Sequence, residues 1–282
     1  MIYVGAHVSI AKDISLAPVR AKEIGAGAFA LFLKNQKVWS APELKMESVE
    51  AFKENLKSLG FLERMVLPHA GYLINLASPK EDMAEKSLTL FKDEIGRAKM
   101  LGLKRINIHP GAYIEGERND GLRRCAELLD KALEDTDDFI VALEDTAGSG
   151  SNLGSSLEEL STIIECAKKK DQIGITLDTC HLYGAGYDIR TKASSVMDRA
   201  LSLFGKDKII GMHINDSKAE LASHKDRHES LGKGKIGIEA FREIVSHEIA
   251  QGIPLILETV DESLWKDEII MLSEFHEKHI GK

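Results

Sequence analysis

Two short spacings in this sequence bring metal-binding side chains within reach of one another. In LDTCH, Asp178 and His181 are three residues apart at the end of an apolar run, so one turn of chain can aim both at the same centre. In DRH, Asp226 and His228 are two apart, and alternate side chains of an extended segment point to the same side. Imidazoles and carboxylates without a thiolate pair suit Zn²⁺ or Mn²⁺ rather than an iron–sulfur cluster, and several carboxylates among the histidines allow bridging between ions. The pattern extends along the chain. The first strongly polar residue after each of eight apolar runs is His7, Asn35 just beyond Lys34, His69, His109, Glu144, Asp178, His213 and Glu258. Asp, Glu and His make up about one residue in five, so their recurrence at seven of these eight positions is not a matter of composition. The candidate ligand set is His69, His109, Glu144, Asp178, His181, His213, Asp226, His228 and Glu258.

Elements must exist that gather these residues. The apolar runs lie at 2–6, 28–33, 65–68, 106–108, 139–143, 173–177, 209–214 and 254–257, and each reads as a buried strand. Helical periodicity lies between them. Val49, Phe52, Leu56 and Leu59 precede Gly60, Leu88, Phe91, Ile95 and Ala98 precede Gly102, and Ser156 with Glu159 forms a capping box before Leu157, Leu160 and Ile164. Eight strand–helix units with continuously apolar strands predict an all-parallel α/β sheet that closes as a TIM (β/α)8 barrel, a single domain over 1–282. A doubly wound sheet is the competing architecture. In a barrel the C-terminal strand ends form one rim, where side chains distant in sequence converge.

Several functions are excluded or disfavoured. No apolar run approaches the ~18 residues of a membrane span, and no basic leader precedes a long apolar stretch, which makes the cytoplasm the expected location. Cys125, Cys166 and Cys180 are too scattered for disulfides or a C-x-x-C pair, and Cys180 reads as a small buried hydrophobe. There is no G-x-S-x-G elbow. GAGAFA (25–30) follows a helix rather than a strand, and GKGKIG (232–237) follows the DRH loop, so neither has the context of a dinucleotide turn and no nucleotide cofactor is expected. The glycines beside Lys233 and Lys235 retain a phosphate-holding reading. His224 reads as part of a solvated loop, His247, His276 and His279 as surface residues of helical segments, and His7 as either a structural residue or a partner of a ligand. A charge of −8 argues against a polyanionic partner when taken alone.

The motifs LPHAGYLINLA (67–77), GITLDTCHLYGAGYD (174–188) and HINDSK (213–218) with DRHESLGKGKIG (226–237), supported by LFLKNQKVW (31–39), EDTAG (144–148) and LILET (255–259), resemble the endonuclease IV family of abasic-site deoxyribonucleases. The likeness runs over essentially the whole chain. It implies a TIM barrel with three zinc ions, manganese being a permitted substitute: His69 and His109 on the first, Glu144 bridging it to a second held by Asp178, His213 and Glu258, and His181, Asp226 and His228 on the third. It also implies hydrolysis of the phosphodiester 5′ to an abasic site in double-stranded DNA, leaving a 3′-hydroxyl and a 5′-deoxyribose phosphate. Glu144 and Glu258 are the catalytic carboxylates on this reading, and no side-chain nucleophile is needed.

Reaching a sugar inside a duplex requires flipping it out. By the resemblance, Tyr72 and Leu73 wedge into the strained duplex and Lys37 contacts phosphate, with Asn35, Arg227 and Lys233 as further DNA contacts. Three divalent ions would bring −8 close to neutrality, and Lys34, Lys37, Lys225, Arg227, Lys233 and Lys235 in the rim loops would make the binding face locally positive. A monomer suits such a face. Three departures stand out: Asp145 where the family commonly has Asn, Lys37 for the usual Arg, and AKD (11–13) in place of a Gly-rich stretch. Two other readings of the same rim stay open, a metal-dependent sugar isomerase or epimerase and a zinc-holding DNA-damage binder without turnover.

Overall fold

The computed structural model describes residues 1–280, with side chains as far as Lys278. Seven parallel strands form one curled sheet: β1 Tyr3–His7, β2 Ala28–Ala30, β3 Arg105–Ile108, β4 Ile140–Glu144, β5 Ile173–Asp178, β6 Ile209–His213 and β9 Pro254–Leu257, in the order β2-β1-β9-β6-β5-β4-β3. Two short strands, β7 Asp216–Ser217 and β8 His228–Glu229, pair antiparallel within the connection from β6 to β9.

The gap between β2 and β3 is closed by residues 65–69, the expected strand that is not a regular one. Leu67 N donates to Phe29 O at 2.9 Å and His69 N to Leu31 O at 2.9 Å, while on the other side Asn107 N donates to Pro68 O at 2.7 Å. Only isolated bridges result, at Val66 and at His69. Pro68 has no N–H to offer the ladder, which accounts for the interruption. The sheet thus closes on itself as a TIM barrel.

The surrounding helices are α1 Ala17–Glu23, α2 Met46–Ser58, α3 Glu81–Met100, α4 Arg118–Ala132, α5 Leu157–Cys166, α6 Thr179–Ala185, α7 Ile189–Phe204, α8 Ile238–Ser246 and α9 Trp265–Ile280. Val49, Phe52 and Leu56 of α2 are buried against the sheet, and Gly60 follows at φ 79°, a left-handed turn that glycine enters without strain. The capping box at α5 forms in one direction only. Ser156 Oγ accepts from Glu159 N at 3.2 Å, but the Glu159 carboxylate turns to the N–H groups of Gly154 and Ser155 and to Arg118.

The strands' period of two puts Tyr3 and Gly5 on the face of His7, Ala142 on that of Glu144, Gly174 and Thr176 on that of Asp178, and Gly211 on that of His213. Small residues, Gly5, Ala142, Gly174, Thr176 and Gly211, therefore lie beneath the polar rim, with Ala28, Ala30, Met65 and Ile256 forming a separate inner cluster against which Tyr3 packs. Among the described residues no helix is long and apolar enough to cross a membrane. Two expected surface histidines differ. His276 is buried, its Nδ1 donating to Val245 O at 3.0 Å, because its face of α9 packs on α8. His247 follows the end of α8 instead of lying within it. His279 is in α9, but its side chain lies outside the described residues.

Candidate metal centre

His7, Glu144, Asp178 and His213 end β1, β4, β5 and β6, His109 and Glu258 directly follow β3 and β9, and His69 ends the irregular segment 65–69. Asp178 also caps α6, its Oδ1 accepting from His181 N at 2.9 Å, so the cap that starts the helix also fixes the relative position of the two side chains. His228 opens β8 of the hairpin with β7, and Asp226 lies two residues before it.

The structure brings all nine candidate ligands together. His69, His109 and Glu144 form one group, Glu144, Asp178, His213 and Glu258 a second, and Asp178, His181 and His228 a third, with the donor atoms of each within 4.8 Å of one another. Asp226 joins the third, its carboxylate 3.3 Å from His181 Nε2 and 3.1 Å from His228 Nε2. Glu144 is the junction. Its Oε2 lies 3.1 Å from His69 Nε2 and 3.6 Å from His109 Nε2, and its Oε1 lies 2.9 Å from His213 Nδ1. Cys180 is also near Asp226 and His228, and burial pushes its thiol up to about 12.

Three imidazoles are oriented in the same way. His69 Nδ1 donates to Ala70 O at 2.7 Å, His181 Nδ1 to Asp145 O at 2.9 Å and His228 Nδ1 to Glu258 O at 3.2 Å. Each bond commits Nδ1–H to a backbone carbonyl and aims the Nε2 lone pair at a carboxylate. A lone pair facing an anion is repulsive unless a cation, proton or metal, lies between them, and metal-binding histidines are held by this kind of outer hydrogen bond. His213 Nδ1 is more crowded still, with Glu144 at 2.9 Å, Glu258 at 3.2 Å and Asp178 at 3.8 Å. One imidazole nitrogen cannot satisfy three carboxylates. The donor set therefore fits divalent cations.

Without a metal, protons take that place. Burial opposes charge on His181 and His213, yet Asp178 and Glu144 respectively outweigh it and hold both well above the ordinary histidine range. His228 is raised to about 9 in the same way, burial being overcome by Asp178 and Asp226. Burial likewise opposes ionisation of Glu144 and Glu258, but His213 and the other imidazoles hold both well below the usual carboxylate range. His109 is pushed down to about 4 by burial, which leaves it neutral.

Other residues hold the ligands in place. His7 Nδ1 lies 2.7 Å from Glu258 Oε1, so it contacts a ligand and is not part of the apolar core. Asn215 Nδ2 donates to Asp178 Oδ2 at 2.7 Å while its Oδ1 accepts from Glu258 N at 2.8 Å, and Asn107 Nδ2 donates to Glu144. Sequence reasoning missed both asparagines. A single polar residue within the apolar run INI (106–108) was the available signal for Asn107. Asp145 accepts Asp178 N at 2.6 Å through Oδ1, leaving Oδ2 buried without a partner, and burial raises its carboxyl well above the usual range.

The expected DNA contacts are less uniform. Tyr72 is 61% exposed and lines a cavity of about 330 Å³ together with His109 and Asp226, while Leu73 is half-buried against the core and does not line it. Asn35, Lys37, Lys225, Arg227 and Lys233 are exposed. Lys34 is not a rim cation: it is buried and bound to Asp93 at 2.9 Å. Lys235 pairs with Glu220 at 2.9 Å. The phosphate-holding reading of the glycines in GKGKIG does not survive either. Gly232 N and Gly234 N donate to Asp216 at 3.0 Å each, so their N–H groups are already taken.

A family model described as xylose isomerase-like TIM barrel matches residues 18–275. A probable endonuclease 4 of Chlorobium phaeobacteroides (strain BS1) is 47% identical over 98% of this chain and 99% of its own. One from Campylobacter concisus (strain 13826) is 46% identical, covering 99% of this chain and 100% of its own. Among solved structures, the crystal structure of endonuclease IV from Thermus thermophilus superposes with a TM-score of 0.86 at 29% identity, over 98% of this chain and 99% of that one.

Proposed function

The chain belongs to the endonuclease IV family of xylose isomerase-like TIM barrels and is a nuclease; on that premise we propose that it is a zinc-dependent DNA-repair hydrolase acting in base excision repair. It would cut the phosphodiester 5′ to an abasic site in duplex DNA, leaving a 3′-hydroxyl and a 5′-deoxyribose phosphate. The whole chain, 1–282, acts as a single cytoplasmic domain on this reading. The observation that carries it is the convergence of nine imidazole and carboxylate ligands in three groups, Glu144 joining the first to the second and Asp178 the second to the third, with the exposed Tyr72 ring 5.8 Å from that of His69.

His69, His109 and Glu144 would hold one zinc, Glu144, Asp178, His213 and Glu258 a second, and His181, Asp226 and His228 a third. Bound there, zinc supplies a Lewis acid that lowers the pKa of water and offsets charge on a phosphate. Glu144 and Glu258 serve in their ionised forms, which the surrounding imidazoles favour. His7 Nδ1, 2.7 Å from Glu258 Oε1, keeps that carboxylate from turning as substrate enters. Tyr72 and Leu73 fill the space left by the extruded sugar, and Asn35, Lys37, Arg227 and Lys233 bind the DNA backbone. Lys37 makes a point-charge contact, without the planar stacking of an arginine.

The test is a duplex carrying one tetrahydrofuran abasic analogue, end-labelled on the damaged strand and incubated with zinc-replete protein in magnesium-free buffer. A nick on the 5′ side with an extendable 3′-hydroxyl is expected. Binding without a nick would leave a damage-binding protein instead, and two metals per chain with turnover of a ketose would leave the isomerase reading.

A further inference from the structure

The hairpin that carries His228 is too short to hold itself. β7 and β8 have two residues each, pairing Asp216 with Glu229 and Ser217 with His228, and Lys218 N adds one bond to Arg227 O at 2.8 Å. An isolated ribbon of this size is not stable in water. Its anchor is the carboxylate of Asp216, which is fully buried. Oδ1 accepts from Ser217 N at 2.8 Å and Ile236 N at 2.9 Å, and Oδ2 accepts from Gly232 N and Gly234 N at 3.0 Å each. Lys235 N, between them, donates to Ser217 O at 2.7 Å. Backbone N–H groups converging in this way form an anion-binding nest, and their bonds to a carboxylate are charge-assisted. Gly234 is needed for the approach, since a Cβ there would stand 2.4 Å from Asp216 Oδ1 and 2.5 Å from Ser217 O.

We propose that Asp216 is an internal anion that fills the GKGKIG nest and thereby positions Asp226 and His228 for the third cation. It is a positioning residue, and the inference rests on the three-metal reading above. The loop that looked suited to phosphate instead binds the chain's own carboxylate and uses it to brace a metal site.

Asp216→Ala tests this in the full-length protein by metal analysis and by zinc titration against a competing chelator, with and without sodium formate. The unsubstituted protein should hold three zinc ions. The variant should keep two with unchanged affinity and bind the third about 10–100-fold more weakly, the range for lost outer-shell support of a metal ligand. Formate, a carboxylate small enough for the vacated nest, should restore the third. Should Asp216→Ala fail to fold, Asp216→Asn keeps the shape, turns an NH2 against the nest's N–H donors and should lose the third ion without formate rescue. Three ions at full affinity in either folded variant would overturn the proposal, as would loss of the third ion from Asp216→Ala that formate leaves unchanged. Fewer than three ions in the unsubstituted protein would overturn the metal reading along with it.

Discussion

Replacing Glu144 with Gln removes one negative charge from the point where the ligand groups meet, at constant side-chain length. Asn107 Nδ2 donates to Glu144 Oε2, so the new amide would keep its oxygen there and turn its NH2 toward His213 Nδ1, now 2.9 Å from Oε1. Removing one partner from a buried ionic group costs about 3–5 kcal/mol, because the remaining charge stays desolvated. At 1.4 kcal/mol per tenfold, zinc affinity at the first two groups should fall roughly 100- to 3,000-fold. The third group is largely spared, since its Nε2 atoms face Asp226, at 3.3 Å from His181 and 3.1 Å from His228, and Glu144 meets only His181 Nδ1, at 3.4 Å. Metal-stripped protein titrated with zinc against a chromophoric chelator should thus show two weakened sites and one nearly unchanged. Equal weakening of all three, or no weakening at all, would refute Glu144 as the junction between two sites.

Stripping metal with a strong chelator should lower the thermal midpoint substantially, because each ion present at 1,000 times its dissociation constant contributes about 4 kcal/mol; an unchanged midpoint would sink the metal reading. Zinc must displace the protons that the carboxylates hold on His181, His213 and His228, so its affinity should rise with pH above neutrality, the His228 contribution ending at about 9, with proton release visible in calorimetry across different buffers. In metal-free protein the sign reverses. The raised His228 contributes stability in full below its unfolded value of 6.5 and loses it as pH climbs through about 9, so the urea midpoint should be lower at pH 9.5 than at pH 6. Tyr72→Ala removes a 61% exposed ring, so stability should change by less than about 0.5 kcal/mol while KM for abasic duplex rises about tenfold or more; a loss of kcat at constant KM would count against a wedge.

The architecture was legible because it is repeated locally. The strand-and-helix units carry their own apolar runs and periodic stripes, with glycine stops at Gly60 and Gly102, whereas closure of the barrel over the competing open sheet was decided by the bonding of residues 65–69 on both sides. Six residues of the centre were legible for the same reason, since a residue at or just past the end of a strand faces the rim in any such barrel; His181, Asp226 and His228 were legible only from their short spacings. The regular strand expected at 65–68 failed at Pro68, although its bonding partners on both sides are those a strand would have.

What the residue order alone determined, then, is which chemical groups arrive at the rim. Which nitrogen each histidine presents was decided by carbonyls of Ala70, Asp145 and Glu258, backbone groups that every residue possesses and no motif can mark. The tertiary structure also moved Lys34 from the binding face into an ion pair with Asp93, 59 residues away. It turned the amides of GKGKIG inward onto Asp216, up to 20 residues distant in the chain. Such assignments depend on which buried partner is within ~3 Å, and that is settled only when separate segments pack, since each buried N–H or charge must find an acceptor wherever the fold supplies one.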